Sequence, residues 1–393
     1  MNDLTLADLC ELVVDCKNRT PPEAAPGERP VGFAIGTPHI INGRIRLSEA
    51  KPVSQETFDI WTARAIPREG DIVLTREAPV GRVGRVEEGM QICLGQRTML
   101  LRPGKQRSDS RFLHYFLLSP TVQDLLHAQA SGSTVAHLRV AQVRNLKLPS
   151  VPDVDGQRRI GAVLGALDDK IAVNERIAAT ADELLRLQYQ QSCHHALESI
   201  AIGNLGRLIR DGVPASSLTG SEYYIGLEHM PRRNMWLSNW ESAAELASGK
   251  SAFRSGDVLF GKLRPYFHKV GLTLTSGVCS TDILVVRPAN PTNLGWLLLA
   301  LSSDDVVAHA SAVGDGTRMP RAKWKDLAAY EVPWPGYERA THLNEVVRSL
   351  AARVQVSVTE SRTLATLRDT LLPQLMSGRL RVKDAEKIVE DNT

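Results

Sequence analysis

Two stretches of the chain carry apolar residues at helical spacing along a single line. In the first, the line runs through Ile160, Leu164, Leu167, Ile171, Asn174, Ile177 and Leu184. In the second, Leu343, Val347, Leu350, Val354, Ser357, Thr363 and Leu367 repeat it in register. So narrow a stripe predicts a long helix with an apolar seam facing a partner helix. A helix packed on its own domain would show a similar stripe. Two seams, each placed after a repeated block, favour pairing with one another in antiparallel fashion. Asp153 and Asp155 stand at the start of the first, where a helix favours acidic side chains. From Gln157 to about Gln191 that helix would run roughly 50 Å, while Pro373 must kink or stop the second. Asn174 and its counterpart Ser357 are polar in an otherwise apolar seam, a pattern that fixes register at some cost in stability.

The chain ahead of each seam is also written twice. Leu6, Leu9, Leu12 and Val13 lead to Asp15 as Ile202, Leu205, Leu208 and Ile209 lead to Asp211. Gly70-Asp71-Ile72-Val73-Leu74 recurs as Gly256-Asp257-Val258-Leu259-Phe260, each followed by basic residues. Then come Leu101-Arg102-Pro103 and Val286-Arg287-Pro288, a helix-like apolar stretch, a small-residue loop and a pair of prolines. Blocks that keep their order with slowly drifting offset mark a duplication. Gly-Asp before a β-branched run reads as a turn entering a strand. Short strands mixed with short helices, without a regular βαβ rhythm, predict an α+β fold. It comprises two similar α/β domains separated by two long antiparallel coiled-coil helices.

Composition changes this picture little. The formal net charge of +3 is too small to argue for nucleic acid, so basic residues would have to be concentrated locally. Cys10, Cys16, Cys93, Cys193 and Cys279 form no Cys-x-x-Cys pair, which argues against a disulfide framework or structural zinc and fits a reducing, cytoplasmic setting. The longest apolar run, Trp296 to Leu301, is too short to span a bilayer.

Catalytic chemistry finds little support. Asp153 followed by Asp168-Asp169-Lys170 mimics a metal-dependent nuclease pattern, but Asp168 and Lys170 lie on the predicted helix and read as solvent-facing charges. Gly81-Arg82-Val83-Gly84 is too short a glycine pattern for a cofactor loop, no phosphate-binding loop appears, and His194-His195 has no third ligand at useful spacing. The chain is expected to catalyse nothing alone and to bind neither metal nor cofactor.

Gln157-Arg158-Arg159-Ile160 followed by Leu167-Asp168-Asp169-Lys170-Ile171, Asn174 and Arg176-Ile177 resembles the central conserved region of type I restriction–modification specificity subunits. Thr370-Leu371-Leu372-Pro373-Gln374-Leu375-Met376-Ser377-Gly378-Arg379-Leu380 resembles their C-terminal conserved region, and Ala130-Ser131-Gly132-Ser133-Thr134 a loop of their recognition domains. Two positions depart from the pattern. Asp155-Gly156 replaces an acidic pair, and Glu360 takes the seam position matched by Ile177.

The resemblance implies target-recognition domains at 1–152 and 198–335, helical spacers at 153–197 and 336–380, and a charged tail at 381–393. Each domain would read half of a split target in double-stranded DNA. The spacers would set the gap and dock two methyltransferase subunits, with two restriction (translocase/nuclease) subunits able to join and no membrane involved. S-adenosylmethionine, and ATP and Mg for restriction, would belong to those partners. A specificity subunit of a methyltransferase-only or other-type system, and a helical scaffold without DNA, are the alternatives.

Affinity for DNA calls for Lys and Arg on phosphates, and sequence choice for hydrogen-bonding side chains at base edges. Candidates in the first domain are Arg44, Arg76, Arg82, Arg85, Arg97, Thr134, His137 and Arg139. In the second they are Lys262, Arg264, His268, Lys269, Thr317, Arg318, Arg321 and Lys323. Arg76 and Lys262 carry the most weight, because both follow the Gly-Asp strand at equivalent places. Any one of these could equally be a solvated surface charge or an ion-pair partner.

Overall fold

The protein, seen in a computed structural model, is described over residues 4–130, 136–244, 246–314 and 319–392. It mixes helix and sheet and divides into two compact units. One is Met1–Asp169 with Leu364–Thr393, the other Lys170–Thr363.

In the first unit a six-stranded sheet is built from β1 (Cys10–Asp15), β2 (Ile40–Ile41), β3 (Arg44–Ile45), β4 (Ile72–Arg76), β5 (Val80–Arg85) and β6 (Thr98–Pro103). Their order is β1-β6-β4-β5-β3-β2, antiparallel as far as β5 and parallel between β5 and β3. The run Ile72-Val73-Leu74 is buried throughout, as a central strand covered on both faces requires. Helix α1 (Ser110–Leu118) follows, started by Asp109, whose carboxylate accepts the Phe112 amide at 2.9 Å. Its side chains Phe112, Leu113, Phe116 and Leu117 are all buried. A short helix α2 (Val140–Arg144) precedes α3 (Val154–His194), which begins in this unit.

The second unit repeats the sheet. Strands β7 (Gly206–Ile209), β8 (Trp236–Leu237), β9 (Val258–Gly261), β10 (Val270–Thr273) and β11 (Ile283–Pro288) run in the order β7-β11-β9-β10-β8. The pairing sense is the same, antiparallel three times and then parallel. Helices α4 (Leu294–Leu301) and α5 (Trp324–Ala329) follow, and α6 (Tyr337–Met376) begins in this unit and ends in the first. The duplication read from the sequence is therefore a duplication of strand order. Gly70 (φ +85°) and Gly256 (φ +90°) make the turn into β4 and β9 in a backbone region that other residues rarely adopt. The aspartate after each glycine is buried and ion-paired with the arginine of the Arg-Pro motif, Asp71 with Arg102 and Asp257 with Arg287.

The 41 residues of α3 and the 40 of α6 would each span about 60 Å. Asp153 starts α3 by accepting the Gly156 amide on its carboxylate at 2.7 Å. Pro373 does not end α6, which continues to Met376; this near its end, the proline removes only one intrahelical donor. The stop comes at Gly378, in the left-handed region at φ +69°. The charged segment beyond it forms a further helix, Val382–Glu390, with Ala385 buried.

Ile160, Leu164, Leu167, Ile171 and Asn174 are buried on α3, and Leu343, Val347, Val354 and Ser357 on α6, with Leu350 partly covered. In the second unit Ala181, Leu185 and Tyr189 of α3 share one core with Leu343, Val347 and Val354 of α6 and with Trp296 and Leu297 of α4. Two expected seam positions are corrected: Leu184 is 42% exposed and Thr363 is exposed, while their neighbours Leu185 and Leu364 are buried. A straight helix turns every 3.6 residues, so a strict seven-residue line drifts off the buried face, and the next residue takes its place.

At the polar layer of the second unit, the Asn174 amide donates to the Glu360 carboxylate at 2.8 Å, and Lys170 lies 3.3 Å from the other oxygen. The Asn174 bond, with Lys170 beside it, holds the Glu360 carboxyl below its usual range. Glu360, at odds with the seam pattern in sequence, is thus the partner of the buried amide. The Asn174 carbonyl oxygen and the Ser357 hydroxyl find no hydrogen-bond partner among the described residues.

Candidate nucleic-acid interface

The end of the Gly-Asp strand organises the basic residues in both units. In the first, the Arg76 amide donates to the Arg97 carbonyl at 2.8 Å, and the Arg76 carbonyl accepts from Leu138 at 2.9 Å. Glu77 then pairs with His137 as an isolated antiparallel bridge. Arg76, Arg97 and His137 are thereby brought together, with Arg139 close by in sequence at the start of α2. Arg97, itself at φ +75°, places its Nε 3.6 Å from Glu77. The Arg76 Nε is buried without a hydrogen-bond partner among the described residues, while its Nη1 lies 3.5 Å from the Leu138 carbonyl.

The second unit repeats these backbone bonds. The Lys262 amide donates to the Asp282 carbonyl at 3.0 Å, its carbonyl accepts from Ala322 at 2.8 Å, and Leu263 bridges Arg321. Arg76 and Lys262 therefore stand at the same point of the two sheets. The charges around them are exchanged: Glu77 answers Arg97 in one unit, and Asp282 answers Arg321 at 3.3 Å in the other. The Arg264 amide donates to the Pro320 carbonyl at 2.9 Å, and Lys323 begins α5 close by in sequence.

Other candidates are held elsewhere. On β5, Arg82 donates through Nη1 to the Thr37 carbonyl at 3.0 Å. Arg85 is internal, bound to Ser110 at 3.0 Å and paired with Glu87. Arg44 pairs with Asp168 at 3.2 Å. Lys269 donates to the Leu227 carbonyl. His268 is buried with Nε2 2.8 Å from the Ser302 carbonyl, and burial pushes its pKa down. Buried charged or polar groups need partners, and Arg44, Arg85 and His268 use theirs to hold elements together. Thr134, Thr317 and Arg318 lie outside the described residues.

The reading of Asp168 as a solvent-facing helix charge is corrected. Its carboxylate receives Arg368 at 2.7 Å, Arg44 at 3.2 Å and the Tyr115 hydroxyl at 2.6 Å. Burial works to raise its pKa, but Arg368, the Tyr115 hydrogen bond and Arg44 hold it below the usual carboxylate range. Among the described residues no group of three or more His, Cys, Asp or Glu side chains converges as a metal site. No helix among them is long and apolar enough to cross a membrane.

Several residues that frame the site make contacts that residue order alone does not show. In the second unit the Arg232 guanidinium lies over the Phe267 ring, beside the exposed Tyr266. Gln157 accepts the Asp109 amide at 3.0 Å and donates to the Pro152 carbonyl at 3.0 Å, tying the start of α3 to that of α1. His39 and His229 each accept a glycine amide on Nδ1 at 2.9 Å, from Gly36 and Gly226. The signal for this last pair was present: Gly-x-x-His occurs at 36–39 and again at 226–229.

Comparison with known proteins agrees with this architecture. A family model described as the type I restriction modification DNA specificity domain matches residues 1–182. The type I restriction enzyme MjaIX specificity subunit of Methanocaldococcus jannaschii is 22% identical over 364 residues, covering 84% of this chain and 82% of that protein. The EcoDI specificity subunit of Escherichia coli is 30% identical over a shorter stretch of 92 residues, 23% of this chain and 20% of that one. In fold, the chain is similar to the crystal structure of a type I restriction–modification S subunit from M. genitalium. There the TM-score is 0.53 at 16% identity, covering 95% of each chain.

Proposed function

We propose that this chain, whose residues 1–182 match the type I restriction modification DNA specificity domain, is a specificity subunit that selects the DNA sequence on which partner subunits act. Each unit carries one reader, and the target is correspondingly bipartite. The long helices α3 and α6 pair as an antiparallel strut that sets the unread gap and docks two methyltransferase subunits. A helix suits this task because hydrogen bonding fixes its length. One turn of duplex is about 34 Å, so a strut of about 60 Å suits half-sites between one and two turns apart.

The observation that carries this reading is the repeated strand-end loop. Arg76 and Lys262 occupy one backbone position in two copies of one sheet, each flanked by further basic residues. In such a loop the cations bind phosphates and fix orientation, while neighbouring side chains meet base edges. The chain contributes no catalytic group. S-adenosylmethionine for adenine methylation belongs to the methyltransferases, and ATP and Mg to restriction subunits where these join, in the cytoplasm with the DNA. A methyltransferase-only or other-type system would use the same chain, and the recovered partners decide between them.

The test is co-expression with a cognate methyltransferase and genome-wide mapping of methylated adenines. A split motif with a fixed gap is expected, and lengthening both helices by two turns should widen the gap alone. Methylation without a bipartite motif, or a gap indifferent to helix length, overturns the reading. A chain that binds no DNA with its partner at any salt concentration is a scaffold instead.

A further inference from the structure

The loops that follow the Gly-Asp strands differ between the two units. In the first, Glu77 to Pro79 join β4 to β5; in the second, Lys262 to Lys269 join β9 to β10. The longer loop contains Pro265-Tyr266-Phe267, folded as one tight turn between Arg264 at φ +52° and His268 at φ +53°. Two non-glycine residues in the left-handed region within one loop are costly, and such strain persists only where the surroundings over-determine it. The surroundings do so here. His268 is anchored through its ring to the Ser302 carbonyl, and its own carbonyl accepts the Arg233 amide at 3.0 Å. Arg233 in turn pairs with Asp304 at 2.8 Å.

What this rigid turn presents is an exposed aromatic side chain beside a second ring that carries two cations. Tyr266 is 52% exposed, and its ring stands edge-on to Phe267, with centroids 4.9 Å apart. The Arg232 guanidinium lies 4.4 Å over the Phe267 ring, and that of Arg264 5.9 Å from it. The Arg264 Nε is buried with no hydrogen-bond partner among the described residues. An exposed aromatic ring on a stiff turn, beside a second ring that holds two guanidinium groups and close in the chain to Lys262, fits a base between two phosphates. Aromatic rings stack on base faces, and guanidinium groups donate to phosphate oxygens.

We propose that Tyr266 packs its ring against a base of the half-site read by the second unit, with Arg232 and Arg264 on the flanking phosphates. The first unit has no aromatic residue in its three-residue loop, so the device serves one half-site only. This assignment rests on the DNA-reading function proposed above.

The test uses the full chain assembled with its methyltransferase partner, after the methylated motif has been mapped. Binding is measured to the cognate duplex and to duplexes altered in one half-site at a time. Tyr266→Ala should weaken binding to the cognate duplex by about tenfold or more and blunt discrimination at the second half-site and not at the first, while Tyr266→Phe keeps both. A duplex with 2-aminopurine at the contacted position should change fluorescence on binding the native complex and not the alanine variant. Arg232→Lys should retain binding, and Arg232→Gln should weaken it uniformly with a shallower salt dependence.

Unchanged discrimination by Tyr266→Ala overturns the proposal while leaving a bipartite motif, and hence the DNA-reading function, intact. Equal loss at both half-sites also overturns it, since the ring would then support folding or assembly. If the native complex gives no bipartite motif, the underlying function fails first, and the two failures are told apart.

Discussion

Asp71 receives both edge nitrogens of Arg102, Nε at 2.8 Å and Nη2 at 2.7 Å, and Asp257 receives Arg287 at 2.7 and 2.8 Å. The same carboxylates accept the Arg68 and Arg254 amides, at 2.9 and 2.8 Å, which closes the turn into the strand. The Gly-Asp and Arg-Pro motifs, written twice in the sequence, are thus two halves of one buried contact. It fixes the strand whose far end bears Arg76 or Lys262.

Removing one partner should therefore be severe. Arg102→Ala strands a carboxylate that is 2% exposed, and a broken buried pair costs about 3–5 kcal/mol. Denaturant unfolding of the full chain should show a loss of that order. Arg287→Ala should do the same in the second unit, through Asp257.

The polar layer should trade stability for definition. Asn174→Leu replaces a buried amide whose oxygen has no hydrogen-bond partner among the described residues, and Glu360 can remain with Lys170. A gain of about 1 kcal/mol in unfolding free energy is expected. Methylation mapping should then show adjacent gap lengths beside the native one, as the helices lose their registering contact. A single native gap would remove that role from Asn174.

Stability should fall on mild acidification. His114 is buried, and desolvation, with Arg85, Arg368 and Arg44 nearby, pushes its pKa down to about 4 against the pull of Asp168. The unfolded chain binds the proton at the ordinary value near 6.5, so between about 6.5 and 4 the unfolded state holds more protons. The contribution is complete above that window and is lost as pH falls through it, by about 2 kcal/mol from pH 7 to pH 5. Melting curves across this range should show the decline, and His114→Phe should flatten it.

Phosphate contact has a signature of its own. Lys262→Ala should weaken DNA binding by the assembled complex to a similar extent on all sequences. It should also lower the slope of log affinity against log salt by about one. A loss confined to one base position would make Lys262 a base reader.

Much of this was legible in the primary sequence because it depends on local periodicity. The apolar seams through Leu164 and Val347 follow from the pitch of a helix, and the repeated Gly-Asp and Arg-Pro blocks from turn chemistry. The resemblance of the Leu-Asp-Asp-Lys-Ile block to a family added the expectation of a DNA role. Residue order along the chain sufficed for these inferences.

The rest depended on which side chains meet across long separations. One-dimensional order placed Arg76 and Lys262 after equivalent strands but could not tell that Arg44 is paired with Asp168 and Arg85 with Glu87. Nor could it tell that Glu360, an apparent fault in the seam, completes Asn174, or that Leu185 and not Leu184 faces inward. A charge looks the same in sequence whether it is solvated, paired or presented to a ligand. Its burial and its partners separate these cases, and both are properties of the folded chain.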